Sequence, residues 1–298
     1  MGSEMCIRDR PSDIDLVVGI PRSGMLAASL LSLHLNCDLS DLDAFVAGVR
    51  GQGGLRARRP ERGHARHALV LDDCIGTGRA MREARERLAA ASVADDVKIS
   101  FAAIYTAEES SESVDFSWNT VPLPRVFEWN VLHHGQLGTA CMDIDGVLCA
   151  DPQEHENDDG PAYEAFLATA RPRLVPKSEI GWLVTSRLER YRPQTERWLA
   201  EQGVKYGRLL MHPATSGQDR RQAQDHAIRK ARAYVETGAW LFIESDPGQA
   251  AEIARVTGRS VYCTETRSMF QADASDAALA RVRRLPTGIR SRLRRLAK

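Results

Sequence analysis

The chain of 298 residues is 43% hydrophobic and 27% charged, long enough for two domains, since domains usually run about 100–200 residues each. Its 40 Lys and Arg balance its 40 Asp and Glu, so no global field favours nucleic acid, and no nucleic-acid partner is expected. Six scattered cysteines (Cys6, Cys37, Cys74, Cys141, Cys149, Cys263) without a C-x-x-C pair exclude a zinc knuckle or disulfide framework, and no apolar run reaches the roughly 18 residues of a membrane span or forms a signal peptide; a reducing cytoplasm fits.

The opening Met1–Arg10, MGSEMCIRDR, follows neither helical nor strand periodicity and reads as a non-native leader (residues 1–10) to be set apart from the fold. From Asp13, short apolar runs at 15–20, 68–71 and 99–104 read as buried strands, and Ala80, Ala84, Leu88 and Ala91 have helical spacing between them. Between Glu108 and Gly138 the pattern is irregular, rich in Ser, Pro and aromatic residues, and the domain boundary is placed there. A second series of strands is predicted at 139–142, 180–184, 208–211, 240–243 and 260–263, with a helix over 193–202. Strand–helix repetition of this kind implies two α/β domains with parallel sheets, 11–138 and 139–279, each with its ligands at the carboxyl ends of the strands. A basic tail, 280–298, follows.

The first candidate site lies where strand 16–19 enters Ile20-Pro-Arg-Ser-Gly24 and strand 69–71 enters Asp72-Asp-Cys-Ile-Gly-Thr-Gly78. In the second loop Gly76 and Gly78 permit close backbone approach, Thr77 adds a hydroxyl donor, and the following helix directs its amides at an anion, an arrangement suited to a phosphate monoester. Asp72 and Asp73 would repel that phosphate unless they engage sugar hydroxyls or magnesium, and a phosphorylated ribose meets both needs. These residues resemble the type I phosphoribosyltransferases, whose apolar-strand–Asp-Asp–x-x-x-Thr-Gly signature is similar to Val70–Gly78. The resemblance implies 5-phosphoribosyl 1-diphosphate as donor with Mg²⁺. Arg22, Ser23 and Gly24 would receive pyrophosphate, Asp72 and Asp73 would face the ribose hydroxyls, and Cys74, Ile75, Gly76, Thr77, Gly78 and Arg79 would lie along the 5-phosphate loop. Gly51–Arg59, glycine-rich and cationic, has the composition of a flap that closes over pyrophosphate.

The second candidate site begins at Asp143-Ile-Asp-Gly-Val147, two carboxylates one residue apart at a strand end. Alternate strand residues share a face, so Asp143 is placed to attack phosphorus and Asp145 to shuttle the proton. The pattern resembles the haloacid dehalogenase-like phosphatases with a minimal cap. By that resemblance Thr185 would bind the phosphoryl group, Lys230 would steady nucleophile and phosphate, and Asp143, the Asp145 carbonyl and Asp246 would hold Mg²⁺, with Glu244 orienting a metal water. The family's further acid, about four residues beyond Asp246, is replaced by Ala250. Cys74 and Cys149 are expected to be buried fillers, and His133 and His134 interdomain packing residues. Glu156–Gly160 is a candidate edge of the cleft.

The two resemblances in series are similar to bacterial polysaccharide enzymes that add ribofuranose by phosphoribosyl transfer and removal of the 5-phosphate. They imply a glycan acceptor, lipid-linked in one version; a nucleobase acceptor in salvage and a non-catalytic phosphoribosyl-diphosphate sensor remain as alternatives. Segment Arg281–Lys298 has no acid, and Ile289, Leu293 and Leu296 share a helical face. Peripheral contact with an anionic membrane, a disordered basic tail and a nucleic-acid contact are all compatible with it.

Overall fold

In the computed structural model of the chain, residues 13–49, 67–91, 97–107, 113–122, 125–156, 159–173, 175–219 and 225–271 are described. The leader, the Gly51–Arg59 segment and the Arg281–Lys298 tail lie outside them. The chain divides into the units Met1–Arg125 and Val126–Lys298.

In the first unit, β1 (Leu16–Gly19), β2 (Asp38–Asp41), β3 (His67–Ile75), β4 (Lys98–Thr106) and β5 (Phe116–Thr120) form one sheet in the order β2-β1-β3-β4-β5. Every neighbouring pair is parallel. Successive residues of a strand face opposite sides, so Leu16 and Val18 bury against Phe45, Met81 and Leu88, whereas Val17, Leu69 and Leu71 bury with Ala28 and Leu31. Thus α1 (Gly24–Leu35) covers one face, and α2 (Leu42–Val46) and α3 (Arg79–Ala90) the other. The predicted strands are present, but β3 continues through the acid pair to Ile75. The strand β5 lies inside the stretch read as irregular: Phe116 and Trp118, two apart, pack on the core while the residues between them are polar, as befits a sheet edge.

The second unit contains β6 (Cys141–Met142), β7 (Ile180–Leu188), β8 (Tyr206–His212), β9 (Phe242–Glu244), β10 (Val261–Cys263) and β11 (Ser268–Phe270), ordered β11-β10-β9-β6-β7-β8. All pairs are parallel except β10 with β11. One face buries Met142, Leu183 and Ile243 with α4 (Pro161–Thr169) and α5 (Arg192–Glu201); the other buries Cys141, Val184 and Phe242 with α6 (His226–Thr237) and α7 (Pro247–Thr257). Each predicted strand is found. The strand β7 runs four residues past its predicted end, with a register irregularity between Val184 and Leu188. The units part at Arg125 instead of Gly138, because Val131 and Leu137, at 3% and 0% exposure, are buried in the same core as Met142. The pattern reading missed this because that stretch has no regular period.

Candidate functional site

At the carboxyl end of the first sheet, the loop after β1 is fastened to the end of β3. Ile20 N–H donates to the Leu71 carbonyl at 3.0 Å, and Ser23 Oγ donates to Asp73 Oδ1 at 2.8 Å. The peptide between Pro21 and Arg22 is cis. Gly24 is required by closeness: a Cβ there would stand 2.9 Å from the Leu71 carbonyl oxygen and 3.0 Å from Asp72 Oδ1. The structure therefore brings Arg22, Ser23 and Gly24 together with Asp72 and Asp73.

The loop after β3 leaves Gly76 and Thr77 exposed. Gly78 caps α3 with φ of 71°, a left-handed conformation natural to glycine, and turns the first amides of α3 toward the loop. Arg125 props this loop from behind, donating to the Ile75 carbonyl at 2.7 Å. Arg22 and Arg79 are exposed. Burial, then the hydrogen bond and charge of Asp73, push the Asp72 carboxyl up to about 7. Cys74 is half-buried, and burial raises its thiol to about 11.

In the second unit, Asp143, Thr185 and Glu244 stand on the neighbouring strands or strand ends of β6, β7 and β9, and α6 delivers Lys230 to them. Lys230 Nζ donates to Asp143 Oδ2 at 2.6 Å, Glu244 Oε2 at 2.7 Å and Gln249 Oε1 at 2.9 Å. With Lys230 only 2% exposed, burial opposes its charge, but the two carboxylates hold it protonated. Burial raises the Asp143 carboxyl to about 7, against the pull of Lys230. Thr185 Oγ1 accepts from Arg187 N–H. The structure brings Asp143, Asp145, Thr185 and Lys230 to the same end of the sheet.

Arg187 is a candidate site residue that the sequence pattern did not single out. Fully buried, it grips Asp145 by Nε at 3.1 and 3.2 Å and by Nη2 at 2.7 Å. Although burial opposes it, the guanidinium holds the Asp145 carboxyl below the usual carboxylate range. Thr185 and Arg187 lie in the part of β7 where the register is irregular, joined by the Arg187 N–H to Thr185 Oγ1 at 3.2 Å, so simple alternation along the strand would not have found Arg187. Cys149 is more than a filler, since its thiol donates to Asp145 Oδ1 at 3.3 Å. His134 packs on Trp240 at 5.2 Å within the second unit.

The oxygen set around Asp145 suits a hard cation better than a soft one. The Asp145 carbonyl accepts from Ser245 Oγ at 3.2 Å, and Gly146 is packed so closely on Ser245 and Asp151 that no side chain fits there. Asp246 caps α7 through Oδ1 with Gln249 N–H at 2.8 Å. Glu244 is occupied otherwise than expected. Its Oε2 lies on Lys230 and its Oε1 accepts Ser245 and Asp246 N–H, so it braces the strand end instead of facing a metal water. Among the described residues no three His, Cys, Asp or Glu side chains converge as a metal cage, so a Mg²⁺ here would draw on Asp143, a main-chain carbonyl and Asp246, with water completing the shell. At the rim, Asp159 joins three loops: it accepts Tyr191 OH at 2.9 Å and Gly217 N–H at 2.5 Å, and pairs with Arg190.

The first unit is thus a parallel α/β domain whose acid pair and amide-lined loop meet at one strand end, and residues 3–135 match the family model of the phosphoribosyl transferase domain. The N-terminal unit is a phosphoribosyltransferase-type domain. The chain is similar in structure to a Helicobacter pylori xanthine-guanine-hypoxanthine phosphoribosyltransferase, at 18% identity over 40% of this chain and 77% of that one, with a TM-score of 0.30. It is also similar to a purine phosphoribosyltransferase from Pyrococcus horikoshii, at 16% identity over 39% and 82%, TM-score 0.26. A chain of the Pnkp1/Rnl/Hen1 RNA repair complex aligns with 86% of this chain and 97% of its own length, at 11% identity and a TM-score of 0.29. No curated protein sequence matches the chain. No helix among the described residues is long and apolar enough to cross a membrane.

Proposed function

We propose that the chain is a bifunctional enzyme in which the first unit transfers ribose 5-phosphate from 5-phosphoribosyl 1-diphosphate to an acceptor and the second, a haloacid dehalogenase-like Mg²⁺-dependent phosphatase, removes the 5-phosphate. In the first unit Arg22, Ser23 and Gly24 take the pyrophosphate, Asp72 and Asp73 the ribose hydroxyls and Mg²⁺, and residues Cys74 to Arg79 the 5-phosphate. Positioning the donor and stabilising the departing pyrophosphate supply the rate as the anomeric carbon becomes oxocarbenium-like. The phosphatase reading rests on one observation: a buried lysine bonded at 2.6 Å to Asp143, with Thr185 at the adjoining parallel strand.

In the second unit Asp143 attacks phosphorus, Thr185 and Lys230 hold the phosphoryl oxygens, and Asp145 handles the proton. The Arg187 grip adds a requirement. An ionised Asp145 is ready to activate water in the second step, and it must take up a proton before it can serve the leaving oxygen in the first. A Mg²⁺ held by Asp143, the Asp145 carbonyl and Asp246 would neutralise phosphate charge.

The order of the two activities gives a ribosylated acceptor, because transfer leaves a phosphate on the product and a phosphatase in the same chain removes it; the glycan assignment rests on the resemblance to polysaccharide ribofuranosylation enzymes. The test uses wild type, Asp73→Asn and Asp143→Asn with Mg²⁺, the donor, and panels of glycans and nucleobases, with products read by mass spectrometry. A ribosyl-glycan from wild type, a phosphoribosyl-glycan from Asp143→Asn and neither from Asp73→Asn is the expected result. Nucleotides in place of glycan products overturn the acceptor assignment, and donor binding without any product makes the first unit a sensor.

A further inference from the structure

In the second unit a groove of about 440 Å³ runs between α6 and the edge strand β8. Its wall includes Thr185 and Lys230, the residues given above to the scissile phosphate, with Ser186, His212 and His226 beside them. Arg229, Arg232 and Glu236 line the α6 side. At 1.5 Å of rise per helical residue, the wall from Arg229 to Glu236 is roughly 10 Å long, enough to hold a group beyond the phosphate itself.

The charges of this wall are unequally spent. Arg192 is tied to Glu189 at 2.5 and 3.0 Å and to Glu196 at 3.1 Å. Lys230 is held by Asp143 and Glu244, and His212 Nε2 lies 3.2 Å from Asp225. Arg229 and Arg232 are different: among the described residues neither has a carboxylate in ion-pair range, although Glu236 stands one turn beyond Arg232. A neutral sugar would gain little from two guanidinium groups on a concave wall, whereas a phosphate matches their planar donors bidentately.

We propose that this groove binds a second phosphate of the substrate, so that the second unit acts on molecules carrying two phosphates: the scissile monoester at Thr185 and Lys230, and another group at Arg229 and Arg232. The inference rests on the phosphatase reading and narrows it. The second phosphate has two possible sources, a glycosyl phosphate or a nucleotide, and the groove's chemistry is the same for both.

The test compares kcat/KM for glucose 6-phosphate with glucose 1,6-bisphosphate, and for adenosine 5′-monophosphate with adenosine 3′,5′-bisphosphate. In at least one pair the bisphosphate is expected to be favoured by tenfold or more, and the pair that shows it identifies the source. In the Arg229→Gln/Arg232→Gln variant the advantage should shrink to within about twofold, through KM. Equal use of mono- and bisphosphates by a working phosphatase overturns the groove assignment and leaves the phosphatase reading standing. If no phosphomonoester is hydrolysed, that reading fails. Calorimetric binding of the same bisphosphates to Asp143→Asn protein, with and without the two arginines, then decides the groove: arginine-dependent binding supports it, and equal or absent binding rejects it.

Discussion

The two strand-end sites of this chain handle negative charge in opposite ways. In the first unit Asp72 and Asp73 are adjacent at the end of β3, one hydroxyl bonds Asp73, and burial with mutual repulsion pushes Asp72 to about 7. In the second unit the acids stand against buried cations, Lys230 between Asp143 and Glu244 and Arg187 on Asp145. In the first site burial and a neighbouring acid act on Asp72. In the second, buried cations act on the acids. Breaking each arrangement should therefore have different consequences.

The largest expected effect is in the second unit. Lys230→Met leaves Asp143 and Glu244 buried without their cation, and removal of one partner of a buried pair costs about 3–5 kcal/mol. Four of the five tryptophans (Trp129, Trp182, Trp198, Trp240) lie in this unit, so fluorescence-detected urea unfolding reports it selectively. A loss below about 1 kcal/mol would mean that the ammonium is not what holds the two carboxylates. Arg187→Lys keeps the charge but loses the fork on Asp145. A stability loss of roughly 1–3 kcal/mol is expected, together with a fall in kcat for phosphate release that exceeds any change in KM.

The first unit should respond to pH instead. A carboxyl whose folded pKa is raised from 3.8 to about 7 binds its proton more tightly in the folded state. Its stabilising contribution is complete below about pH 4, and it is lost as pH rises through 7. Apo protein should therefore lose roughly 1–3 kcal/mol of first-unit stability between pH 4 and 7 through this group. In Asp72→Asn that part of the slope should vanish. Calorimetric melting from pH 5 to 8 checks it, and an identical slope in the variant would show that Asp72 titrates normally. Mg²⁺ with donor at pH 8 should restore wild-type stability more than that of the variant.

How much of this was legible in the sequence differs between the sites for a physical reason. Apolar runs such as Leu69–Leu71 and Leu241–Ile243 mark parallel strands buried on both faces, and the acids after them mark strand ends; that sufficed to single out Asp72, Asp73, Asp143 and Asp145, whereas Thr185 and Lys230 came only from the resemblance to the phosphatases. The lengths of β3 and β7 were not legible, since a polar residue in a strand end looks like the start of a loop. Arg187 was missed on that account and because the register of β7 is irregular there, and Glu244 was given to a metal water because its tie to Lys230, fourteen residues earlier, depends on how α6 docks. Helix α1, apolar on nearly every face, carries no period to read, and β5 alternates too briefly.

The smallest effect, and the sharpest on geometry, concerns Gly24. At this first position of α1 alanine gains less than the roughly 1 kcal/mol it has over glycine in a helix interior, and its Cβ would press on the Leu71 carbonyl and on Asp72 at 2.9 to 3.2 Å. The two terms oppose, so Gly24→Ala should change stability by less than about 1 kcal/mol. The contact is relieved by moving the Ile20–Gly24 loop away from β3, which lengthens the Ser23–Asp73 bond and separates that loop from Asp72 and Asp73. Donor KM should therefore rise several-fold with the fold intact. An unchanged KM would mean that the two loops do not act as one donor site, whatever their proximity in the fold.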